Sequence, residues 1–403
     1  MKHLLIVILS LLSLPLMAQN EKFEATIVDA QTHEPLPFAS VYASQKSSTI
    51  SNAVGAFSIK CSPAAVLRIS YVGYKTIHIK ASNLGGRIAL EPLENQLKEV
   101  VVTPIDLKDF IHKTTSETRR QLRKNEKRKS CFFYRQTTFA DSTCFELMEA
   151  FLQAKPAVYL RDLLLLNGRF AGIQPDSLHR YSFWTNFFTV SERPMLTRYD
   201  SHINRDAKPL TRNYKDFYDL DYDIMADSAG RLVAVHFIPK VKITDPILAV
   251  TLYIDENTHH LRKMEGEIRN VELIHKEYIV KQIDTIKVFK EVRSFETGSF
   301  NLTVNMTEER GFVEVESVYI DDCYERYGKQ FATRSILFNV GELEADKNRQ
   351  MQVWAWGDMH DYIRWQGYDP EFWHNNEIVL RTPIEEEVMR LFESQNLFGI
   401  MSP

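Results

Sequence analysis

His374 and Glu377, near the C-terminus, have the His-x-x-Glu spacing with which some zinc-dependent peptidases hold two metal-ligating side chains. Such an enzyme also needs a distant third histidine and a glutamate that acts as general base. No histidine follows His374 in the sequence. We therefore predict no catalytic zinc of this type, and the sequence indicates no catalytic residue, no bound cofactor and no enzymatic activity.

A second group of potential metal ligands comprises Asp255, Glu256, His259 and His260. Adjacent residues on a strand point to opposite faces of a sheet, so the two histidines are poorly placed to bind one ion from a strand. We expect these histidines to lie in a turn or at the surface, and we predict no metal site. A serine hydrolase is not indicated either, because the sequence has no Gly-x-Ser-x-Gly turn.

Four of the five tryptophans lie close together near the C-terminus: Trp354, Trp356, Trp365 and Trp373. Exposed aromatic side chains in loops suit a carbohydrate or a protein partner. Alternatively, these rings hold the tail against a sheet, because an unburied tryptophan is costly to keep soluble. The two interpretations differ in the burial of the rings. The four tryptophans are our candidate partner-binding residues.

Regular alternation of short strands and turns marks the segment that follows residue 20. Phe23, Ala25 and Ile27 alternate with polar or partly polar neighbours, which predicts a strand with one buried face. Asp29–Thr32 has turn chemistry, and Asn52 and Gly55 flank another turn. Short strands at this spacing are typical of a β-sandwich.

The run from Ile27 to Thr76 resembles the carboxypeptidase-regulatory-like domain, a transthyretin-like fold, in three motifs: Pro35–Val41, Asn52–Phe57 and Ser70–Tyr74. The resemblance implies a sandwich over residues 19–92 with a structural or interaction role, in an exported protein of Bacteroidetes. In that group such domains often open the mature chain of outer-membrane nutrient transporters. A large barrel needs roughly 22 strands of about 10 residues, so the remaining sequence is too short for a full transporter.

Residues 1–18 have the parts of a signal peptide: a basic start at Lys2, an apolar run from Leu4 to Leu16, and the small residue Ala18. The apolar run is shorter than the roughly 20 residues that a membrane-spanning helix needs. We predict an exported protein, periplasmic or associated with the outer membrane, whose mature chain has no transmembrane span. The net charge of -4 argues against a nucleic-acid partner.

The rest of the chain predicts a larger, mainly antiparallel domain. Residues 93–130 form a linker with a basic helix that Asp106 caps, residues 131–345 form strands joined by short turns, and residues 346–403 end in a helix. Such a succession of strands indicates an antiparallel meander. The basic helix either meets anionic lipid or an acidic partner, or is a solvated bridge, which we favour. The fold class is therefore mainly β, with few helices.

Two segments of this domain, Leu232–Lys240 and Leu252–Ile268, are similar to a broad group of uncharacterised exported proteins of Bacteroidetes. They are more weakly similar to the open half-barrels of lipoprotein carriers, which implies that a curved sheet could hold an acyl chain. An ordinary packed sheet explains the same apolar alternation. Cys131 and Cys144 either pair across a hairpin or remain buried thiols, and we expect thiols.

Three functions follow as hypotheses. The first is non-catalytic binding or scaffolding at the cell envelope, beside nutrient-uptake machinery, with an envelope protein or a glycan as partner. The second is a carrier of lipid or another hydrophobic ligand, which a deep apolar cavity would support. The third is a hydrolase with an unrecognised carboxylate site, which carboxylates converging in a cleft would support.

Overall fold

The computed structural model describes residues 20–44, 47–93, 105–157, 160–173, 208–228, 230–243, 247–269, 276–283, 286–294, 298–326, 328–353, 359–376, 378–398 and 401–402. The chain divides into two compact units. The first contains the chain up to Tyr71, Thr76–Glu91 and Ile378–Leu380; the second contains Val72–Lys75, Pro92–Glu377 and Arg381–Pro403.

The first unit has two small sheets. Its strands are β1 (Glu21–Asp29), β2 (Ser40–Ser44), β3 (Ser47–Ile50), β4 (Ala56–Cys61), β5 (Val66–Ser70), β6 (Ile77–Lys80) and β7 (Arg87–Leu90), with a 3-10 helix at Ala81–Asn83. One sheet has the order β4-β1-β7 and the other the order β3-β2-β5-β6. Only the pairing of β1 with β7 is parallel among the strand pairs described in this unit. The predicted sheet-rich first domain is confirmed.

Local chemistry explains the turns of the first unit. The Asp29 carboxylate accepts hydrogen bonds from the backbone N–H groups of Gln31 (2.6 Å) and Thr32 (2.8 Å), as the turn prediction requires. Gly55 has a φ of 74°, and a Cβ there would lie 2.6 Å from the backbone oxygen of Ile27. A side chain at this position would therefore strain the turn between β3 and β4.

The second unit is built on one large sheet. Its strands are β8 (Ser130–Ala140), β9 (Thr143–Lys155), β10 (Arg161–Ile173), β11 (Tyr218–Asp227), β12 (Gly230–Pro239), β13 (Ile247–Asp255), β14 (Leu261–Arg269), β15 (Lys276–Ile283), β16 (Ile286–Ser294), β17 (Gly298–Glu309), β18 (Phe312–Arg326), β19 (Lys329–Gly341), β20 (Met351–Gln352) and β21 (Met401–Ser402). Its helices are α1 (Leu107–Lys124), α2 (Tyr214–Phe217), α3 (Met359–Gln366), α4 (Pro370–Asn375) and α5 (Pro383–Ser394), with a 3-10 helix at Lys347–Arg349.

The strand order departs from a simple meander. The sheet runs β11-β12-β13-β14-β17-β18-β19-β8-β9-β10-β20 with antiparallel neighbours, and β21 pairs in parallel with β10. Consecutive strands are neighbours from β11 to β14 and from β17 to β19, as expected. However, β8 pairs with β19, so that Phe133 lies opposite Phe338. Short turns predict only local pairings, and this one joins distant parts of the chain. β15 and β16 form a separate hairpin.

One face of the large sheet carries the main hydrophobic core of the second unit. Phe110 and Ile111 of α1 and Met359 and Ile363 of α3 are buried in this core. The predicted N-cap of α1 is confirmed, because the Asp106 carboxylate accepts hydrogen bonds from the backbone N–H groups of Lys108 and Asp109. Among the residues described, no helix combines the length and the apolar character that a membrane span requires.

Several threonines of α1 are buried although threonine is a weak helix former. The hydroxyls of Thr114 and Thr115 donate to the backbone oxygens of Phe110 and Ile111, at 2.9 and 2.8 Å. These bonds satisfy the hydroxyls inside the core and leave only methyl groups to pack. The buried stripe of α1 therefore includes residues that periodicity alone left out.

All four cysteines are free. Cys131 lies opposite Gln153 and Cys144 opposite Phe139, so the two thiols occupy different positions of the β8–β9 hairpin. Burial raises the pKa of Cys144 to about 12, which makes its thiol a poor nucleophile. The expectation of buried thiols holds for this pair.

Candidate functional site

The C-terminal segment contains the four tryptophans proposed to bind a partner, and the structure separates them. Trp365, on α3, is 70% exposed. Trp373, on α4, is buried. Trp354 and Trp356 lie outside the described residues.

Trp373 packs against β9 and β10. Its indole N–H donates to the side-chain oxygen of Asn167 at 3.1 Å, and its ring lies 5.4 Å from that of Phe151 between centroids. The guanidinium of Arg169 lies 4.3 Å from the ring centroid, in a cation–π contact. In this position Trp373 holds α4 against the sheet, as the alternative interpretation of the tryptophans expects.

Trp365 lies on the outer side of an anchored helix. The opposite side of α3 buries Met359, His360 and Ile363. At the end of the helix, the Gln366 amide donates to the backbone oxygens of Leu166 (3.0 Å) and Arg349 (2.7 Å). The exposed ring makes an edge contact with Tyr362 at 5.7 Å. The ring of Trp365 is thus exposed to solvent on a helix whose position is fixed by its buried side.

An acidic cleft lies beside the end of α3. It has a volume of about 270 Å³ and is lined by Leu166, Asn167, Glu344, Ala345, Asp346, Arg349, Asp369 and Phe372. Leu166 and Arg349 are the two residues that Gln366 binds. Tyr368, next to Asp369, is a further exposed aromatic residue of this region. We call the cleft and the side chains of Trp365 and Tyr368 the C-terminal surface.

Two of the three carboxylates of the cleft, those of Asp346 and Asp369, are held by backbone N–H groups. Asp346 accepts a hydrogen bond from the N–H of Asn348 at 2.9 Å, and Asp369 accepts one from the N–H of Phe372 at 3.2 Å. Both are therefore helix caps. Arg349 lies 3.9 Å from Asp369 and donates to the backbone oxygen of Gly367 at 2.6 Å. Fixed carboxylates of this kind accept hydrogen bonds from ligand hydroxyl or amino groups. Sequence analysis missed them, although Asp369-Pro370 is a typical helix start.

A buried ionic cluster lies on the face of β8, β9 and β10 that carries Trp373. The carboxylate of Glu149, 1% exposed, lies 2.8 Å from Nε of Arg135, 2.8 Å from Nε of Arg169 and 3.6 Å from Nε of Arg381. Burial raises the pKa of Glu149, but the three guanidinium groups outweigh it and hold that pKa well below its usual range. Glu149 is thus a permanent anion within the fold, not a proton donor.

A second buried polar group lies nearby on the apolar face of the same strands. The Glu146 carboxylate lies 2.8 Å from Nε2 of His360 on α3, and it accepts a hydrogen bond from the Thr138 hydroxyl at 3.1 Å. The Tyr134 hydroxyl donates to the side-chain oxygen of Gln136 at 2.6 Å. Polar residues inside apolar strands are the one sequence signal for both buried groups. One partner of each group, Arg381 for Glu149 and His360 for Glu146, comes from the C-terminal segment and could not be inferred.

The histidine pair next to β13 does not form a metal site. The ring nitrogens of His260 lie 2.8 Å from Glu308 and 3.0 Å from Glu117 of α1, on opposite sides of the ring. His259 has a φ of 57° in the turn and contacts Phe110. Among the residues that the structure describes, no three His, Cys, Asp or Glu side chains could hold one metal ion.

The sequence and the structure were compared with known proteins. No curated protein matches the sequence. Among solved structures, a crystal structure of a LolA superfamily protein from Nitrosomonas europaea is similar over 60% of this chain and 96% of that chain, with 8% identity and a TM-score of 0.22. Residues 24–102 match the family model of the CarboxypepD_reg-like domain, which supports the resemblance seen in the sequence. The first unit of the chain therefore contains a domain of this kind.

Proposed function

We propose that this protein is a non-catalytic binding or scaffolding protein of the cell envelope, exported to the periplasm or the outer membrane. Its partner binds the C-terminal surface. The observation that carries the proposal is Trp365, which is 70% exposed on a helix whose other side is anchored in the core. Exposed tryptophans on rigid supports are typical anchors of binding surfaces.

A glycan is the partner that this surface fits best. Carbohydrate rings stack on aromatic side chains, which Trp365 and Tyr368 provide. Their hydroxyl groups donate hydrogen bonds, and the fixed carboxylates of Asp346 and Asp369 are acceptors. An envelope protein, including a component of nutrient uptake, is the alternative partner.

Several carboxylates of the second unit are already bound by groups of the protein itself, which supports a non-catalytic role. Glu149 is fixed between three arginines, and Asp346 and Asp369 cap helices. A general acid or base must be able to exchange its proton with a substrate. Carboxylates converging in a cleft were the condition for the hydrolase hypothesis, and the role of Asp346 and Asp369 as helix caps makes binding the better explanation.

The carrier hypothesis finds less support. The apolar face of the large sheet is occupied by side chains of the protein itself, including Phe110 and Ile111 of α1 and Ile363 of α3. A lipid would have to displace these helices from a packed core, which is costly.

The proposal is tested by replacing the exposed ring. We expect the Trp365→Ala variant to lose at least tenfold in affinity for envelope polysaccharides that the wild type retains in a pull-down. Leu391→Ala removes an exposed apolar side chain from α5 and is the matched control. Unchanged retention by Trp365→Ala, or hydrolysis of the retained glycan by the wild type, would contradict the proposal. If the pull-down instead retains an envelope protein and this retention requires Trp365, the partner is that protein and not a glycan.

A further inference from the structure

Three residues from the distant C-terminal region belong to the first unit. Ile378–Leu380 pack with the strands of that unit, and Val379 at their centre is 1% exposed. The tripeptide is held near the end of β3 and the turn that follows it. This corner of the fold therefore already contains a bound peptide segment, supplied by the same chain.

Two side chains of the corner recognise the backbone of the tripeptide. The hydroxyl of Thr49 donates to the backbone oxygen of Ile378 at 2.9 Å. The amide nitrogen of Asn52 donates to the backbone oxygen of Leu380 at 3.3 Å. Both side chains belong to residues that are almost completely buried. The corner thus donates hydrogen bonds to two backbone carbonyl groups that are two residues apart in the sequence.

The turn fixes the direction in which Asn52 donates. Its side-chain oxygen accepts hydrogen bonds from the N–H groups of Val54 (3.1 Å) and Ala56 (3.0 Å). The amide nitrogen must therefore point away from the turn and toward the tripeptide. Ser51, between the two donors, differs, because its hydroxyl bonds to Leu36 and Ala39 inside the unit. The direction of the Asn52 donor is thus set by the turn itself.

We infer that the corner formed by Thr49 and Asn52 is a peptide-binding site, which the chain fills with its own Ile378–Leu380 and which accepts an equivalent segment of a partner polypeptide. Its two hydrogen bonds recognise backbone carbonyls, which every polypeptide offers. Specificity comes from the one buried side chain, so the partner segment has a compact apolar residue in the place of Val379. The inference does not depend on the C-terminal surface or on its ligand.

The test uses the full chain and a fluorescently labelled peptide with the sequence of residues 375–382. The variant Val379→Asp keeps its own segment out of the site, because a buried carboxylate without a partner is strongly disfavoured. We expect this variant to bind the peptide at least tenfold more tightly than the wild type, by fluorescence anisotropy. A peptide with aspartate in place of the valine is the matched control and should not bind.

A further pair of substitutions tests the two donors. Thr49→Val removes the hydroxyl, and Asn52→Asp removes the amide nitrogen but keeps the oxygen that the turn needs. In the Val379→Asp background, these changes should lower peptide affinity at least tenfold. Equal affinity with and without the donors would overturn the assignment of the site.

Val379→Gly provides a second background in case the aspartate variant does not fold, as judged by circular dichroism. It removes the buried side chain without adding a charge. The wild type itself should show weak, saturable binding, because its own segment competes. Absence of saturable binding in every folded variant would overturn the inference.

Discussion

At the scale of single residues, the buried cluster around Glu149 makes the second unit sensitive to substitution. The glutamate is enclosed, and its charge balances guanidinium groups from β8, from β10 and from the start of α5. Removing one member of a buried ion pair leaves the others without compensation, which costs about 3–5 kcal/mol. We therefore expect Glu149→Gln to reduce the free energy of unfolding of the second unit by that amount.

This loss can be measured by urea denaturation followed through tryptophan fluorescence. Trp365 and Trp373, the tryptophans in the described part of the chain, belong to the second unit, so their signal reports its unfolding. Glu126→Gln is the matched control, because Glu126 also contacts a lysine and an arginine but is exposed. We expect the control to change stability little. A loss below about 1 kcal/mol for Glu149→Gln would mean that the arginines find other partners.

The same carboxylate predicts the direction of a pH effect. Its pKa is lowered in the folded protein, so the unfolded chain takes up the proton first as the pH falls. The stabilisation is complete above the unfolded pKa of about 4.3 and is lost at about 1.4 kcal/mol per pH unit below it. The difference in unfolding free energy between wild type and Glu149→Gln should therefore shrink by about 2 kcal/mol from pH 7 to pH 3. A constant difference would show that Glu149 does not titrate in this way.

From the sequence, Trp365 and Trp373 were candidate partner-binding residues alike, and the charged groups around Trp373 were not foreseen. Trp365 and Trp373 look alike in the sequence, and only the pairing of Asn167 and Arg169 with Trp373 separates them. Glu149 sits in an apolar strand, which shows that it needs a partner. The partner that precedes α5, Arg381, is more than 200 residues away, and neither spacing nor composition connects the two.

At the scale of elements, one glycine sets the distance between α3 and the sheet. A Cβ on Gly168 of β10 would overlap Cγ1 of Ile363 and lie 2.9 Å from its Cδ1. Gly168→Ala should therefore push α3 outward and destabilise the second unit by about 1–3 kcal/mol. Shortening the opposing side chain should relieve the overlap. Ile363→Ala removes both Cγ1 and Cδ1, so we expect Gly168→Ala with Ile363→Ala to lose less stability than the two single changes added together.

The thermal unfolding of the four proteins of this double-mutant cycle measures the coupling. Additive losses would contradict a direct contact between β10 and α3 at this position. Because Trp365 lies on α3, its fluorescence should also change in Gly168→Ala at temperatures below unfolding.

The start of α5 offers a second prediction at this scale. The Thr382 hydroxyl accepts a hydrogen bond from the N–H of Glu385, whose carboxylate accepts one from the N–H of Thr382. The two reciprocal hydrogen bonds form a capping box. Thr382→Ala should cost about 1 kcal/mol of stability, whereas Thr382→Ser should retain most of it. Equal losses in the two variants, measured by urea denaturation, would argue against the cap.

The contrast between the cap and the sheet order shows which elements a sequence predicts. A cap depends on residues three positions apart, and so do the turns at Asp29 and Asn52. The pairing of β19 with β8 depends on contacts between Phe331–Gly341 and the start of the second unit. No local pattern specifies such a contact.

At the scale of the whole molecule, the first unit was predicted more completely than the second. Its motifs lie within one continuous run, and they alone identify the CarboxypepD_reg-like domain. The contribution of Ile378–Leu380 to that unit was not foreseen, because a tripeptide carries no signal of its destination. Segments that join a unit from a distant part of the sequence could thus be identified only from the structure.

The proposed envelope location makes a prediction for the whole chain. Residues 1–18 have the basic start, the apolar run and the small residue of a cleavable signal. We expect the mature protein to begin at Gln19 and to be recovered in the envelope fraction of the producing cells, as measured by intact mass and fractionation. Replacing Leu9 with arginine interrupts the apolar run and should leave the uncleaved chain in the cytosol. Recovery of the wild type with Met1 intact in the cytosolic fraction would contradict export, and with it the proposed place of binding.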